Sequence, residues 1–130
     1  MELNQVLIVD DSATSRLIIR RCFDMAGYGE TQYLEAEDGI GGLAELVNQN
    51  FDLIVTDVNM PKMDGRTFIR KLAMKGVTDT TPVMVITSQG DESTASNLTG
   101  AGASVVLAKP VSPAKICDAL ASISGEGVHI

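Results

Sequence analysis

No run of apolar residues in this chain approaches the ~20 needed to cross a bilayer as a helix. Cysteine is scarce. Cys22 and Cys117 are the only two and form no C-x-x-C pair. Each falls in a helical pattern and reads as a small buried apolar residue, which sets aside a disulfide framework and a thiolate metal site. Histidine is scarcer still: His129 stands alone near the C-terminus and reads as a solvated terminal residue, not a ligand or phosphocarrier. Positive charge is also short, with 10 Lys and Arg against 17 Asp and Glu, a net charge of -7. Such a surface repels nucleic acid and anionic membranes, so neither is an expected partner. Internal repeats, low-complexity tracts and linkers are missing too. The N-terminal MELNQ runs directly into a strand pattern, so no signal peptide is expected and the expected compartment is the cytoplasm.

What remains is an ordinary globular composition, 45% apolar and 21% charged over 130 residues, the size of one domain with one core. Short aliphatic runs recur at VLIV (6–9), QYLEA (32–36), LIVT (53–56), VMVIT (83–87) and SVVLA (104–108). Four of the five are almost continuously apolar, as parallel strands covered on both faces must be. Helical periods lie between them. Ile18, Cys22 and Met25 share a predicted face, as do Ile40, Leu43, Ala44 and Val47. Phe68, Ile69 and Leu72 form the third, Ala95, Leu98 and Ala101 the fourth, and Ile116, Leu120 and Ile123 the fifth. Ser12 is suited to cap the first helix and Gly27 to end it. The Gly41-Gly42 pair weakens the second. Five strand–helix units in succession predict an α/β fold, a doubly wound five-stranded parallel sheet with helices on both faces. One domain is expected over 1–124, followed by a tail over 125–130.

In open α/β sheets, chemistry gathers beyond the carboxyl ends of the strands. Here strand one ends in Asp10-Asp11, strand three in Asp57, strand four in Thr87-Ser88 and strand five in Lys109-Pro110. Each alone has an innocent reading, as a turn opener, a helix cap or a solvated charge. Four on one edge of one sheet weaken that reading. Three carboxylates in one cleft repel; two unit charges 4 Å apart cost about 4 kcal/mol at an intermediate effective dielectric. A hard divalent cation removes the repulsion, and Mg²⁺ is commonly held by one or two carboxylates with water and phosphate oxygens. A carboxylate can also act as nucleophile and form an acyl phosphate. A lysine and a hydroxyl would then stabilise the transferred phosphoryl group.

VLIVDD, LIVTDVNMPKMDG, VMVITS and LAKP, in this order and spacing, resemble the receiver domain of two-component response regulators over essentially the whole chain. DVNMPKMDG at 57–65 is the most specific piece, and the likeness is greatest to single-domain chemotaxis regulators. The resemblance implies a flavodoxin-like strand order 2-1-3-4-5. It implies that Asp57 accepts a phosphoryl group from a phosphohistidine on a sensor histidine kinase. Mg²⁺ would be held by Asp11, Asp57 and the backbone carbonyl of Asn59, with Asp10 acting directly or through water. Thr87 and Lys109 would each meet a phosphoryl oxygen. A cis Lys109-Pro110 bond and a positive φ at Gly65 are expected on the same ground. So are a monomer, a downstream protein target, and self-phosphorylation and self-dephosphorylation in place of turnover of an outside substrate. One position departs from the family. Its aromatic residue three before the lysine, which moves when the threonine does, is Val106 here. The chemistry is expected to be intact and the Thr87–Val106 readout altered.

Other readings fare worse. A phosphate sink or phosphorelay intermediate is the nearest alternative. An Asp-nucleophile phosphatase of the D-x-D-x-[TV] type needs a second Asp where Asn59 stands. A flavin carrier needs a hydroxyl- and glycine-rich phosphate loop, where DDSATSR offers two carboxylates. Met60 and Met63 read as loop packing, SQGDESTASN (88–97) as a solvated loop and helix face, and Arg16 as a surface cation.

Overall fold

Aliphatic alternation sorts the core into two layers on either side of one sheet. The computed structural model describes residues 1–125 and contains strands β1 (Gln5–Val9), β2 (Gln32–Ala36), β3 (Leu53–Thr56), β4 (Val83–Thr87) and β5 (Val105–Ala108). The helices are α1 (Ala13–Phe23), α2 (Gly39–Asn48), α3 (Gly65–Met74), α4 (Glu92–Ala101) and α5 (Pro113–Ser124). All strand pairs are parallel, in the order β2-β1-β3-β4-β5. Of the tail expected over 125–130, only Gly125 is described; 126–130, with His129, lie outside the described residues. Among the described residues, no helix is long and apolar enough to cross a membrane.

Successive strand residues point to opposite faces. Val6, Ile8, Leu53, Val55, Met84 and Ile86 therefore pack with Ile19, Phe23, Ile116 and Leu120 of α1 and α5. Leu7, Val9, Ile54, Val83 and Val85 pack with Phe68, Ile69, Leu72 and Leu98 of α3 and α4. Both faces are sealed, which explains the continuous apolar runs.

Two predicted faces and one predicted burial need correction. Helix α1 buries Ile19, Cys22 and Phe23, leaving Ile18 and Met25 exposed. Both sets obey helical spacing, and the one carrying Phe23 offers more apolar area to the sheet. Helix α2 buries Gly39 and Gly42; of its predicted face Leu43 packs half-buried on the core, while Ile40 is exposed and Val47 is 82% exposed. A Cβ on Gly42 would sit 2.9 Å from Phe68 Cζ and 3.1 Å from Val9 Cγ2, so the helix makes its closest approach to the core at this glycine. Cys117 is exposed, one helical position round from buried Ile116, while Cys22 is buried as expected. Ser12 does cap α1, accepting from Ser15 N. Gly27, at φ 106°, turns the chain in the wide helical turn Asp24–Tyr28 that follows α1.

Candidate functional site

The parallel register places the polar strand ends side by side. Asp57 N donates to Val9 O at 3.0 Å, and Lys109 N donates to Thr87 O at 2.8 Å. Asp10, Asp11, Asp57, Thr87 and Lys109 therefore share one edge of the sheet. Asp10, Asp11 and Asp57 each offer an oxygen within 4.8 Å of the others, a cluster of hard donors that suits Mg²⁺ and not a soft metal. Asn59, also expected at this site, is exposed two residues beyond Asp57.

Asp10 is only 1% exposed, yet fully partnered. Its Oδ1 accepts from Ser12 N at 2.9 Å, and its Oδ2 accepts from Ser15 Oγ at 2.7 Å and from Lys109 Nζ at 3.3 Å. The same Nζ donates to Asp57 Oδ2 at 3.0 Å. Asp57 Oδ1 accepts from Val58 N at 2.6 Å. Lys109 thus bridges two strand ends from a third. Burial pulls its pKa down, but Asp57 and then Asp10 outweigh that and leave it above its ordinary value. Asp11 is exposed, so water carries its solvation. The protein's own donors compensate Asp10 and Asp57, and water compensates Asp11, even before any cation is added.

Two further residues belong to this site, and sequence reasoning missed one and misread the other. Ser15 holds Asp10 from the first turn of α1. Arg16 is 12% exposed at its side chain and not a surface cation. It donates through Nη1 to the Asp10 carbonyl and through Nε to Glu35 Oε1 at 2.7 Å. It ties the Asp10-Asp11 peptide to the edge strand β2.

The loop after Asp57 differs from expectation at Gly65. Positive φ falls on Lys62 (66°), and Gly65 opens α3 without it. Gly65 is needed for closeness: its Cβ would collide with the Asp57 carbonyl oxygen and lie 2.7 Å from Val58 Cα. Gly65 N donates to Val58 O at 2.7 Å, and Asp64 caps α3 by accepting from Thr67 N, which holds its carboxyl below the usual range.

Thr87 is fully buried, and its Oγ1 accepts from Gln89 N at 3.1 Å. Val106 is half-buried, opposite Val85 in register and packed on the α3–α4 side of the core. Gly90 lacks the left-handed backbone; its Cβ would lie 2.7 Å from Ala108 Cβ, so the loop is pressed against β5. The Lys109-Pro110 bond is cis.

A family model for the response regulator receiver domain matches residues 6–121. The chain is 35% identical over 121 residues to a probable chemotaxis protein CheY of Rhizobium etli, covering 93% of this chain and 92% of that protein. Chemotaxis response regulator CheY4 of Vibrio cholerae aligns with a TM-score of 0.81 at 30% identity, over 94% of this chain and 99% of that one. A CheX-CheY-BeF3-Mg²⁺ complex from Borrelia burgdorferi contains a chain matched with a TM-score of 0.80 at 27% identity, over 92% of this chain and 88% of that one.

Proposed function

This chain belongs to the response regulator receiver domain family, and from that premise we propose that it is a chemotaxis-type signalling protein phosphorylated on Asp57. The donor is a phosphohistidine of a sensor kinase, and the output is phosphorylation-dependent binding to a protein partner. The unit spans 1–124, with 125–130 as a tail, and works in the cytoplasm as a monomer.

A single observation carries the reading: Lys109 Nζ reaches Asp57 at 3.0 Å and Asp10 at 3.3 Å inside a three-carboxylate cluster. An oxygen of Asp57 attacks phosphorus as the P–N bond to the donor imidazole breaks, and the imidazole leaves with the bonding pair. Lys109 gives up its carboxylate partners for a phosphoryl oxygen, which keeps its charge paired throughout. The Thr87 hydroxyl donates to another oxygen once it turns from the Gln89 amide it now serves. Asp11, Asp57 and the Asn59 carbonyl would hold Mg²⁺, with Asp10 acting directly or through water, and the ion would offset the crowding of negative charge. The Borrelia burgdorferi CheX-CheY complex, which contains BeF3 and Mg²⁺, supports this choice of ion.

The chain acts on itself and turns over no outside substrate, since Asn59 cannot serve as the second proton-exchanging carboxylate of an aspartyl phosphatase. Exposed Ile18, lining the groove next to Lys109, offers a phosphodonor protein an apolar seat. Intact-mass spectrometry after incubation with acetyl phosphate tests the proposal. One added phosphoryl group with Mg²⁺ and none in EDTA is expected; equal labelling in EDTA would contradict it.

A further inference from the structure

Asp10 is fixed at every polar atom it owns. Its amide donates to Ala36 O at 3.1 Å and its carbonyl accepts from Arg16, so the backbone cannot move the carboxylate. Oδ1 is committed to Ser12 N, the contact that starts α1. Oδ2 is shared between Ser15 and Lys109. Ser15 is itself held, its amide donating to the Ser12 cap at 3.1 Å. Oδ2 is the oxygen turned toward Asp57, since one Lys109 Nζ reaches both, so it is the one placed to serve a metal in the carboxylate cluster, and its two lone pairs are already taken. The Lys109 contact is the longer of the two, at 3.3 Å against 2.7 Å.

We propose that Ser15 is a positioning residue that sets Mg²⁺ affinity by competing with the metal, or its bound water, for Asp10 Oδ2. The inference rests on Mg²⁺ binding at Asp10, Asp11 and Asp57. A hydroxyl and a cation that claim the same oxygen are linked: each weakens the other by the same factor. Deleting the hydroxyl removes a hydrogen bond from the metal-free protein, where Asp10 is buried and needs it. The metal-bound protein loses less, because the cation or its water takes over the oxygen. Two consequences of opposite sign follow, lower stability without metal and tighter metal binding. A residue that merely supports the fold would lower stability and leave affinity unchanged or weaker.

The test is calorimetric titration of MgCl₂ into the chelator-stripped full chain, paired with urea unfolding in EDTA, for the parent, Ser15→Ala, Ser15→Thr and Asp11→Ala. Ser15→Ala is expected to be less stable in EDTA and to bind Mg²⁺ roughly three- to tenfold more tightly, a fraction of the worth of one hydrogen bond to a carboxylate, since the metal-bound protein also loses part of it. Ser15→Thr keeps the hydroxyl and should restore both properties. Asp11→Ala should lose binding, which locates the ion. If the parent binds Mg²⁺ and Ser15→Ala binds it equally or more weakly, the competition is overturned while the metal site stands. If the parent binds no Mg²⁺, or Asp11→Ala binds as the parent does, the reading beneath it falls as well.

Discussion

Replacing Lys109 with methionine keeps the length of the side chain and deletes only its charge and donors. In the metal-free protein, Nζ makes two charge-assisted contacts, with Asp57 and Asp10. Each such bond is worth about 1.5–3 kcal/mol when buried. The lysine side chain keeps 29% of its surface exposed, so solvent screening lowers the pair to about 2–3 kcal/mol together. The variant is therefore expected to unfold at lower urea in EDTA at neutral pH, with an unchanged slope. The pH dependence supplies an independent sign. The folded-state pKa of Lys109 lies above its ordinary 10.5. Its contribution is then complete below 10.5 and lost as pH rises through the raised value. The stability gap between parent and variant should close in that alkaline window. Saturating Mg²⁺ should narrow the gap at neutral pH, because a second cation then neutralises the same carboxylates. Equal stability of the two proteins in EDTA at pH 7.5 would refute the reasoning, as would a gap that widens above pH 10.5.

Asp11→Ala removes an exposed carboxylate from the cluster. Metal-free stability should hold or rise, while Mg²⁺ affinity falls at least about tenfold and phosphorylation slows, as calorimetry and mass spectrometry would read. Gly65→Ala drives a methyl into the Asp57 carbonyl and should cost about 2–3 kcal/mol in urea unfolding. Turning Thr87 toward a phosphoryl group deprives Gln89 N of its acceptor. Beryllofluoride with Mg²⁺ should thus speed hydrogen exchange at residues 88–91 and leave Val106 little changed. Val106→Tyr should enlarge the response; exchange changes confined to β5 would contradict this account of the switch.

The strands and the site were legible in the sequence for the same reason. A sheet sealed on both faces demands unbroken aliphatic runs, so Val6–Val9 and Val83–Thr87 stand out, and polar residues at their ends stand out in turn. Helix faces were less legible. On α2 the closest approach to the core is at Gly42, which no count of apolar residues detects, and Phe68 fills the space a side chain would occupy beside half-buried Leu43 and Leu46. On α1, two sets of residues satisfy the same period and only contact with the sheet decides between them. Ser15 and Arg16 looked like ordinary helix-surface residues. A signal was present in their spacing: five and six residues after Asp10, beyond a capped first turn, they lie where side chains lean back toward the strand end. Gly65 was recognisable as indispensable, but steric closeness and backbone angle leave the same letter in a sequence.

The central claim is that Asp57 carries the phosphoryl group. Borohydride reduces an acyl phosphate to an alcohol, so treating the phosphorylated protein and mapping its peptides by mass spectrometry locates the modified carboxylate directly. The account predicts homoserine at Asp57 alone, dependent on Mg²⁺, and no reduction anywhere in Asp57→Asn. Homoserine at Asp10 or Asp11 in the parent, or undiminished phosphorylation of Asp57→Asn, would contradict it.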